Sequence, residues 1–222
     1  MGGKIAKVET RRVEGKVGRE EILDAATELF AEHGYSDAVT QLLADRLRVG
    51  KGTIYRHFPS KQSLFFEAAD RAMVRLHEWI ESRVRETVDP IEQIDRGVHA
   101  YLDFFAKHPE FVELLIQERA EFKDRAEPTY LEHREHVVDR WRDRYRRLMD
   151  DGRVRRIPAE RISDVFTAVL YGAMFLRHIS GRGSSFSVAP DDILDIILYG
   201  ILSDSERRRR SEVENGAPAI SA

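Results

Sequence analysis

Residues 51–61, Lys-Gly-Thr-Ile-Tyr-Arg-His-Phe-Pro-Ser-Lys, concentrate cations and hydrogen-bond donors around two apolar positions. With helical geometry of about 100° per residue and Ile54 set at zero, Phe58 lies at about 40°, so the core direction is about 20°. On the same wheel Arg56 falls at about 200°, Gly52 at about 160° and Thr53 at about 260°, all turned away from the core. Tyr55 and His57 land on the flanks, at about 100° and about −60°. Flanking donors suit a phosphate backbone. An outward Arg between small neighbours suits base edges, where it can pair bidentately with guanine. Lys61 follows Ser60, a helix N-cap type, so a cation stands in a first turn where the macrodipole disfavours it. A phosphate bound there would reverse that penalty.

The elements that position this face are legible just upstream. Ile22, Leu23, Ala26, Leu29 and Phe30 form one apolar stripe, and Gly34 followed by Tyr35 reads as a left-handed helix cap with its trailing hydrophobic residue. Leu43, Ala44 and Leu47 supply the inner face of a short second helix that Thr40 begins, and Ile54 and Phe58 that of a third. Three short helices around one small core, the last two joined by a tight turn, is the helix-turn-helix plan. Charge agrees: residues 1–64 hold 11 Lys and Arg against 9 Asp and Glu, although the whole chain carries −3. Within 40–61, Arg46, Arg48, Lys51, Arg56 and Lys61 face only Asp45. A basic unit on an acidic body implies nucleic acid as the partner of the first segment.

These residues resemble a known family. Glu21-Ile22-Leu23-Asp24-Ala25-Ala26, Leu29-Phe30, Gly34-Tyr35, Leu43-Ala44 and Gly52 to Phe58 with Ser60-Lys61 and Leu64 are similar to the DNA-binding domain of the TetR/AcrR transcriptional regulators over about 45 residues. The resemblance implies phosphate contacts for Tyr55, His57 and Lys61, places Lys51, Gly52, Thr53 and Arg56 on a recognition helix, and lets Thr40 touch the backbone from helix two. Two positions depart from the family pattern. Arg48 stands where the turn usually has Gly, and Gly50 where helix three usually has a Ser or Thr cap. A left-handed Arg would cost about 1 kcal/mol, Gly50 could take the special conformation instead, and Arg48 joins the candidate phosphate contacts.

Beyond this segment the chain reads as all-α. Strand alternation is nearly absent, and Gly and Pro punctuation divides 222 residues into nine helices, expected at 18–33, 40–47, 51–57, 60–86, 90–107, 109–124, 128–150, 158–180 and 190–207. The expected organisation is a basic arm (1–17), the DNA-binding domain (18–62), a ligand-binding and dimerisation domain (63–207) and a tail (208–222). Zero Cys excludes disulfides, thiol nucleophiles and Cys-ligated metal. The longest stretch without Asp, Glu, Lys or Arg, 165–176, falls short of a membrane span, and no apolar leader follows the basic start. A cytoplasmic protein without membrane attachment is expected. His133 and His136, with Glu132 and Glu135, share a helix face but lack the His-Glu-x-x-His order, so no metal and no cofactor is expected. No nucleophile elbow accompanies His99, His108 or His178, so the chain is not expected to be an enzyme.

Two features of the body bear on function. Helices eight and nine are apolar beyond one stripe, which a second copy of the chain can cover. The expected dimer interface is Phe166, Val169, Leu170, Ala173, Ile193, Ile197, Leu198 and Ile201. The family resemblance further implies a pocket for a small-molecule inducer, with Trp79, His99, Phe105, Gln117, Trp141 and Tyr171 as candidate lining. The expected function is a homodimeric repressor that leaves a pseudo-palindromic operator when its inducer binds. The alternative is a constitutive or architectural DNA-binding dimer without a ligand.

Overall fold

The computed structural model describes residues 17–181 and 188–200. Among them are nine helices and no strand: α1 (Arg19–Asp37), α2 (Thr40–Arg46), α3 (Lys51–His57), α4 (Lys61–Val84), α5 (Pro90–Lys107), α6 (Pro109–Glu121), α7 (Thr129–Asp150), α8 (Ala159–Ser180) and α9 (Pro190–Tyr199). The Pro residues at the starts of α5, α6 and α9 occupy first-turn positions where a missing N–H costs nothing. The basic arm up to residue 16, the tail, the Gly-Ser run after Gly181, the expected end of helix nine and Ile201 lie outside the described residues.

Punctuation by Gly acts differently from the expectation at one place. Gly34 has φ 76° and ψ 161°, positive but extended, so it is a kink and not a left-handed helical cap. Helical turns resume through Asp37, and Ala38 N donates to Gly34 O at 3.1 Å. The kink turns the Tyr35 ring inward, within 5.2 Å of the Phe65 centroid and 4.8 Å of that of Phe122.

The chain divides into two compact units, 1–79 with 104–141 and 80–103 with 142–222. In the first, Ile22, Leu23, Ala26, Leu29 and Phe30 of α1 bury against Leu43 and Ala44 of α2 and Ile54 and Phe58 at α3. The same core takes in Leu64, Phe65, Ala68 and Ala69 of α4 and Leu114 of α6, so the three-helix head is completed by two further helices. Gln117 is buried here too, its Nε2 donating to Phe30 O at 2.9 Å.

In the second unit, Tyr145 of α7 stacks on Phe166 of α8 with ring centres 5.8 Å apart, and Tyr101 donates to the Met174 sulfur. Phe166 and Ile193, expected to face a partner chain, are instead buried within this one. Their positions on the inner stripes of α8 and α9 are filled by the unit's own core. The outer stripes carry Val165, Val169, Leu176 and Ile179 on α8 and Ile196, Leu198 and Tyr199 on α9, all exposed. Leu170, Ala173 and Ile197 are half-buried. By length and composition α8 is also apolar enough to cross a membrane.

Candidate nucleic-acid interface

The expected face of α3 is present. Ile54 and Phe58 are 1% and 0% exposed, while Lys51, Gly52, Tyr55 and Arg56 on the other side are exposed, and Thr53 and His57 are intermediate. The cause is the helical period: only two of the eight positions 51–58 point into a core this small. Phe58 is further held by the Arg19 guanidinium, which lies 5.1 Å from its ring centre and pairs with Glu67.

The turn before α3 resolves where the special conformation falls. Arg48 itself takes φ 56°, whereas Gly50 has φ −79° and ψ 149°, an extended geometry open to any residue. Gly50 caps α3 through its backbone alone, with Thr53 N donating to Gly50 O at 2.9 Å and no side chain available to help. The positive φ is enforced by the register of the turn: Arg48 N bonds to Asp45 O at 3.2 Å and Val49 N to Ala44 O at 2.9 Å. Left-handed geometry at the end of α2 is what closes that pair of bonds.

Thr40 and Tyr55, from α2 and α3, are joined side chain to side chain at 3.2 Å. The bond lies at the surface, with Tyr55 exposed and Thr40 half-buried, so the pair can turn toward a phosphate together. Ser60 caps α4 as expected, its Oγ accepting from Ser63 N at 3.0 Å. Lys61 has a partner that spacing alone did not reveal: Nζ donates to Ser36 O at 2.9 Å and stands 4.6 Å from the Tyr35 ring centre. Ser36 Oγ in turn donates to Glu121 of α6 at 3.2 Å.

Not every cation of the segment serves the open face. Arg46 is held by Glu32 of α1 at 2.5 Å, with Glu28 at 3.6 Å, and this hydrogen bond keeps the Glu32 carboxyl below its ordinary range. Two residues that sequence reasoning passed over also tie the head to α4, Arg19 and Arg71. Arg71 of α4 reaches back to the Glu20 and Asp24 carboxylates of α1 at 3.1 and 2.6 Å. Partners 47 and more residues apart leave no periodic signal.

The candidate pocket residues divide between the units. Trp79, Phe105, Gln117 and Trp141 belong to the first, and His99 and Tyr171 to the second. Trp79 lies 6.3 Å from Phe104, which stacks on Phe111 at 5.6 Å and meets Phe105 edge-on at 5.3 Å. His133 pairs with Asp70 at 2.6 Å and His136 Nδ1 bonds to Glu132 O at 2.7 Å, so these two imidazoles are engaged by α4 and by their own helix. His77 of α4, with its ring centre 5.6 Å from that of His133, is pushed down to about 4 by burial and by the neighbouring His133, Arg140 and His136.

Comparison with known proteins agrees with this geometry. Residues 22–68 match the family described as bacterial regulatory proteins, tetR family. The HTH-type transcriptional activator FasR of Mycolicibacterium smegmatis is 30% identical over 99 residues, 45% of this chain and 45% of FasR, so the likeness spans less than half of that relative. The HTH-type transcriptional repressor AcnR of Corynebacterium diphtheriae is 27% identical over 188 residues, 83% of this chain and 92% of AcnR. Among solved structures, the transcriptional regulator FadR of Bacillus subtilis in complex with stearoyl-CoA shares the fold with a TM-score of 0.72 at 15% identity, covering 83% of this chain and all of that one. PfmR of Thermus thermophilus, a TetR family transcriptional regulator, gives 0.64 at 23% identity over 82% of this chain and 99% of its own. Through its helix-turn-helix segment, residues 22–68, the chain is similar to the tetR family of bacterial regulatory proteins.

Proposed function

We propose that this protein is a homodimeric, sequence-specific DNA-binding regulator of the cytoplasm, a repressor that leaves a pseudo-palindromic operator when a small molecule binds its body. The observation that carries the reading is α3: two buried apolar residues hold it, and its opposite face offers Lys51, Gly52, Tyr55 and Arg56 to a groove. Thr40, Arg48, Thr53, His57 and Lys61 surround that face as backbone contacts, and Arg56 is the candidate reader of base edges.

Dimerisation is supported by the exposed apolar stripes of α8 and α9. Placing them in a bilayer would carry Asp164 and Arg177 of α8 toward the apolar phase, which costs free energy for each charge. A second copy meets the same stripes with no such cost. Two linked heads then match half-sites about one helical turn apart.

For the inducer, two proteins of this fold are described with acyl-CoA ligands, FadR of Bacillus subtilis with stearoyl-CoA and AibR with isovaleryl coenzyme A and operator DNA. Acyl-CoAs of graded chain length are therefore the first probes. The ring-on-ring packing of Phe104, Phe105 and Phe111 favours the rival reading, a dimer that binds DNA with no ligand. Selection of bound fragments from genomic DNA, repeated with the acyl-CoA panel, decides. Enrichment of one palindromic sequence supports operator recognition, and its loss with one acyl-CoA supports induction. Enrichment unaffected by every probe favours the constitutive dimer, and no enrichment overturns sequence-specific binding.

A further inference from the structure

The end of α1 is joined to α6 on both sides of the kink at Gly34. Before the kink, the buried Gln117 donates from Nε2 to Phe30 O at 2.9 Å, and the same amide nitrogen reaches Glu113 Oε1 at 3.2 Å. After the kink, Ser36 Oγ donates to the Glu121 carboxylate, 3.2 Å from each of its oxygens. Gln117 and Glu121 stand four residues apart, so they share one face of α6. Gln117 Oε1 is buried without a hydrogen-bond partner among the described residues. That burial is unfavourable, and the donor bonds of the same amide are what offset it.

Gly34 does not fix its own angle. Its φ of 76° is a conformation that glycine enters freely, and a methyl group on it would meet no atom within 4 Å, so nothing packed around the residue decides how far the chain turns. The contacts on either side decide instead. Beyond the kink a single turn is closed by Ala38 N on Gly34 O at 3.1 Å. That turn carries Ser36, whose carbonyl oxygen accepts from Lys61 Nζ at 2.9 Å, and Tyr35, whose ring centre lies 4.6 Å from the same nitrogen. Any swing of the turn about Gly34 therefore displaces both groups that hold Lys61.

Taking Lys61 as a backbone contact, as the DNA-binding reading has it, we propose that Glu121 of α6 is a positioning residue for DNA binding: by holding Ser36 it sets the carbonyl that aims Lys61 at a phosphate. Gln117, one turn earlier, is the buried post on the other side of the kink. Glu121 itself touches no DNA. Charge and position act with opposite sign here. A carboxylate bonded to the same residue as a phosphate-binding lysine repels a polyanion, so its removal should tighten DNA binding by electrostatics alone. Removal of a positioning residue should loosen it.

The test uses the full chain as wild type, Glu121→Ala and Glu121→Gln, each also combined with Lys61→Ala, and follows the anisotropy of a fluorescein-labelled mixed-sequence duplex over a range of salt concentrations. For Glu121→Ala the expected result is weaker binding, with a slope of log affinity against log salt shallower by about one per chain. Glu121→Gln should keep the wild-type slope, because its amide oxygen still accepts from Ser36. With Lys61→Ala in place, Glu121→Ala should weaken binding no further, since both changes remove the same contact. A second measurement needs no DNA. After reductive methylation with isotope-labelled formaldehyde, the Lys61 N-methyl NMR signal should be displaced by the Tyr35 ring in the wild type and in Glu121→Gln, and move back toward the free-lysine position in Glu121→Ala. Unchanged or tighter binding by Glu121→Ala, no rescue by Glu121→Gln, or an equal loss with Lys61→Ala present overturns the positioning role. If the wild type binds no duplex, the DNA-binding reading falls and the Lys61 signal alone decides, a signal unmoved by Glu121→Ala refuting the hold on Ser36.

Discussion

The ammonium of Lys61 donates to the carbonyl oxygen of Ser36 across 2.9 Å, joining the first turn of α4 to the end of α1. A cation at a helix start opposes the macrodipole, and spacing alone suggested that only a bound phosphate would offset it. In the folded chain the Ser36 carbonyl and the Tyr35 ring already do so. Lys61 is therefore held at the edge of the groove face before any DNA arrives.

From this placement Lys61→Ala is expected to weaken binding to operator and unrelated DNA about equally. The slope of log affinity against log salt should become shallower by about one for each phosphate no longer neutralised, about two for a dimer. Fluorescence anisotropy at several salt concentrations measures both quantities. Weakening confined to the operator would remove Lys61 from the backbone contacts.

Arg56→Ala should behave differently, because its side chain leaves the exposed side of α3 while Ile54 and Phe58 keep the helix seated. The expected loss is about 1–3 kcal/mol on the preferred sequence, with relaxed base preference at one position of each half-site. Binding-site selection with the variant checks this, and an unchanged sequence profile would refute the base-reading role.

Replacing Arg48 by Gly relieves the positive φ of 56° while adding freedom to the unfolded chain. The net expectation is a gain of roughly 0.5–1 kcal/mol, read by urea unfolding. Arg48→Val, β-branched at the same φ, should lose stability relative to the wild type. A destabilised Arg48→Gly variant would mean that the guanidinium contributes more than its backbone costs.

Leu198→Asp and Ile196→Asp alter side chains that the single chain leaves exposed. Each variant should fold, sediment as a monomer and bind operator roughly 100-fold or more weakly, because the second head is no longer linked. Ile193→Asp, at a buried position, should instead unfold the chain. A folded monomer with undiminished operator affinity would refute the paired-head arrangement.

His77 sets a pH dependence. Burial and neighbouring cations push it down from 6.5 to about 4, so the unfolded chain takes up this proton first as pH falls. Stability contributed by neutral His77 is whole above about pH 6.5 and diminishes as pH falls toward 4. Unfolding free energies at a series of pH values, compared with His77→Phe, should show a shallower decline in the variant. Equal slopes would assign the decline to other groups.

The head was legible in the sequence because its information is local. The stripe Ile22 to Phe30, the pair Ile54 and Phe58, and the Ser60 cap follow from helical period and capping chemistry over a few residues, and each is found as expected. Arg56 and Tyr55 face outward for the same reason: a side chain's direction on a helix is set by its own turn.

What only the tertiary structure decided involves partners far apart in the chain. Periodicity shows which residues share a face but not which face they meet. Phe166 and Ile193 thus turned out to be buried by their own unit, leaving Val165, Ile179, Ile196 and Tyr199 exposed. The strain of the turn fell on Arg48 and not on Gly50, because the bonds from Arg48 and Val49 back to Asp45 and Ala44 require it there. Gln117 bonds to Phe30 across 87 residues, and His99 meets Asp191 from another helix. Hydrogen bonds and ion pairs act over a few ångströms, so such meetings exist only once the helices are packed.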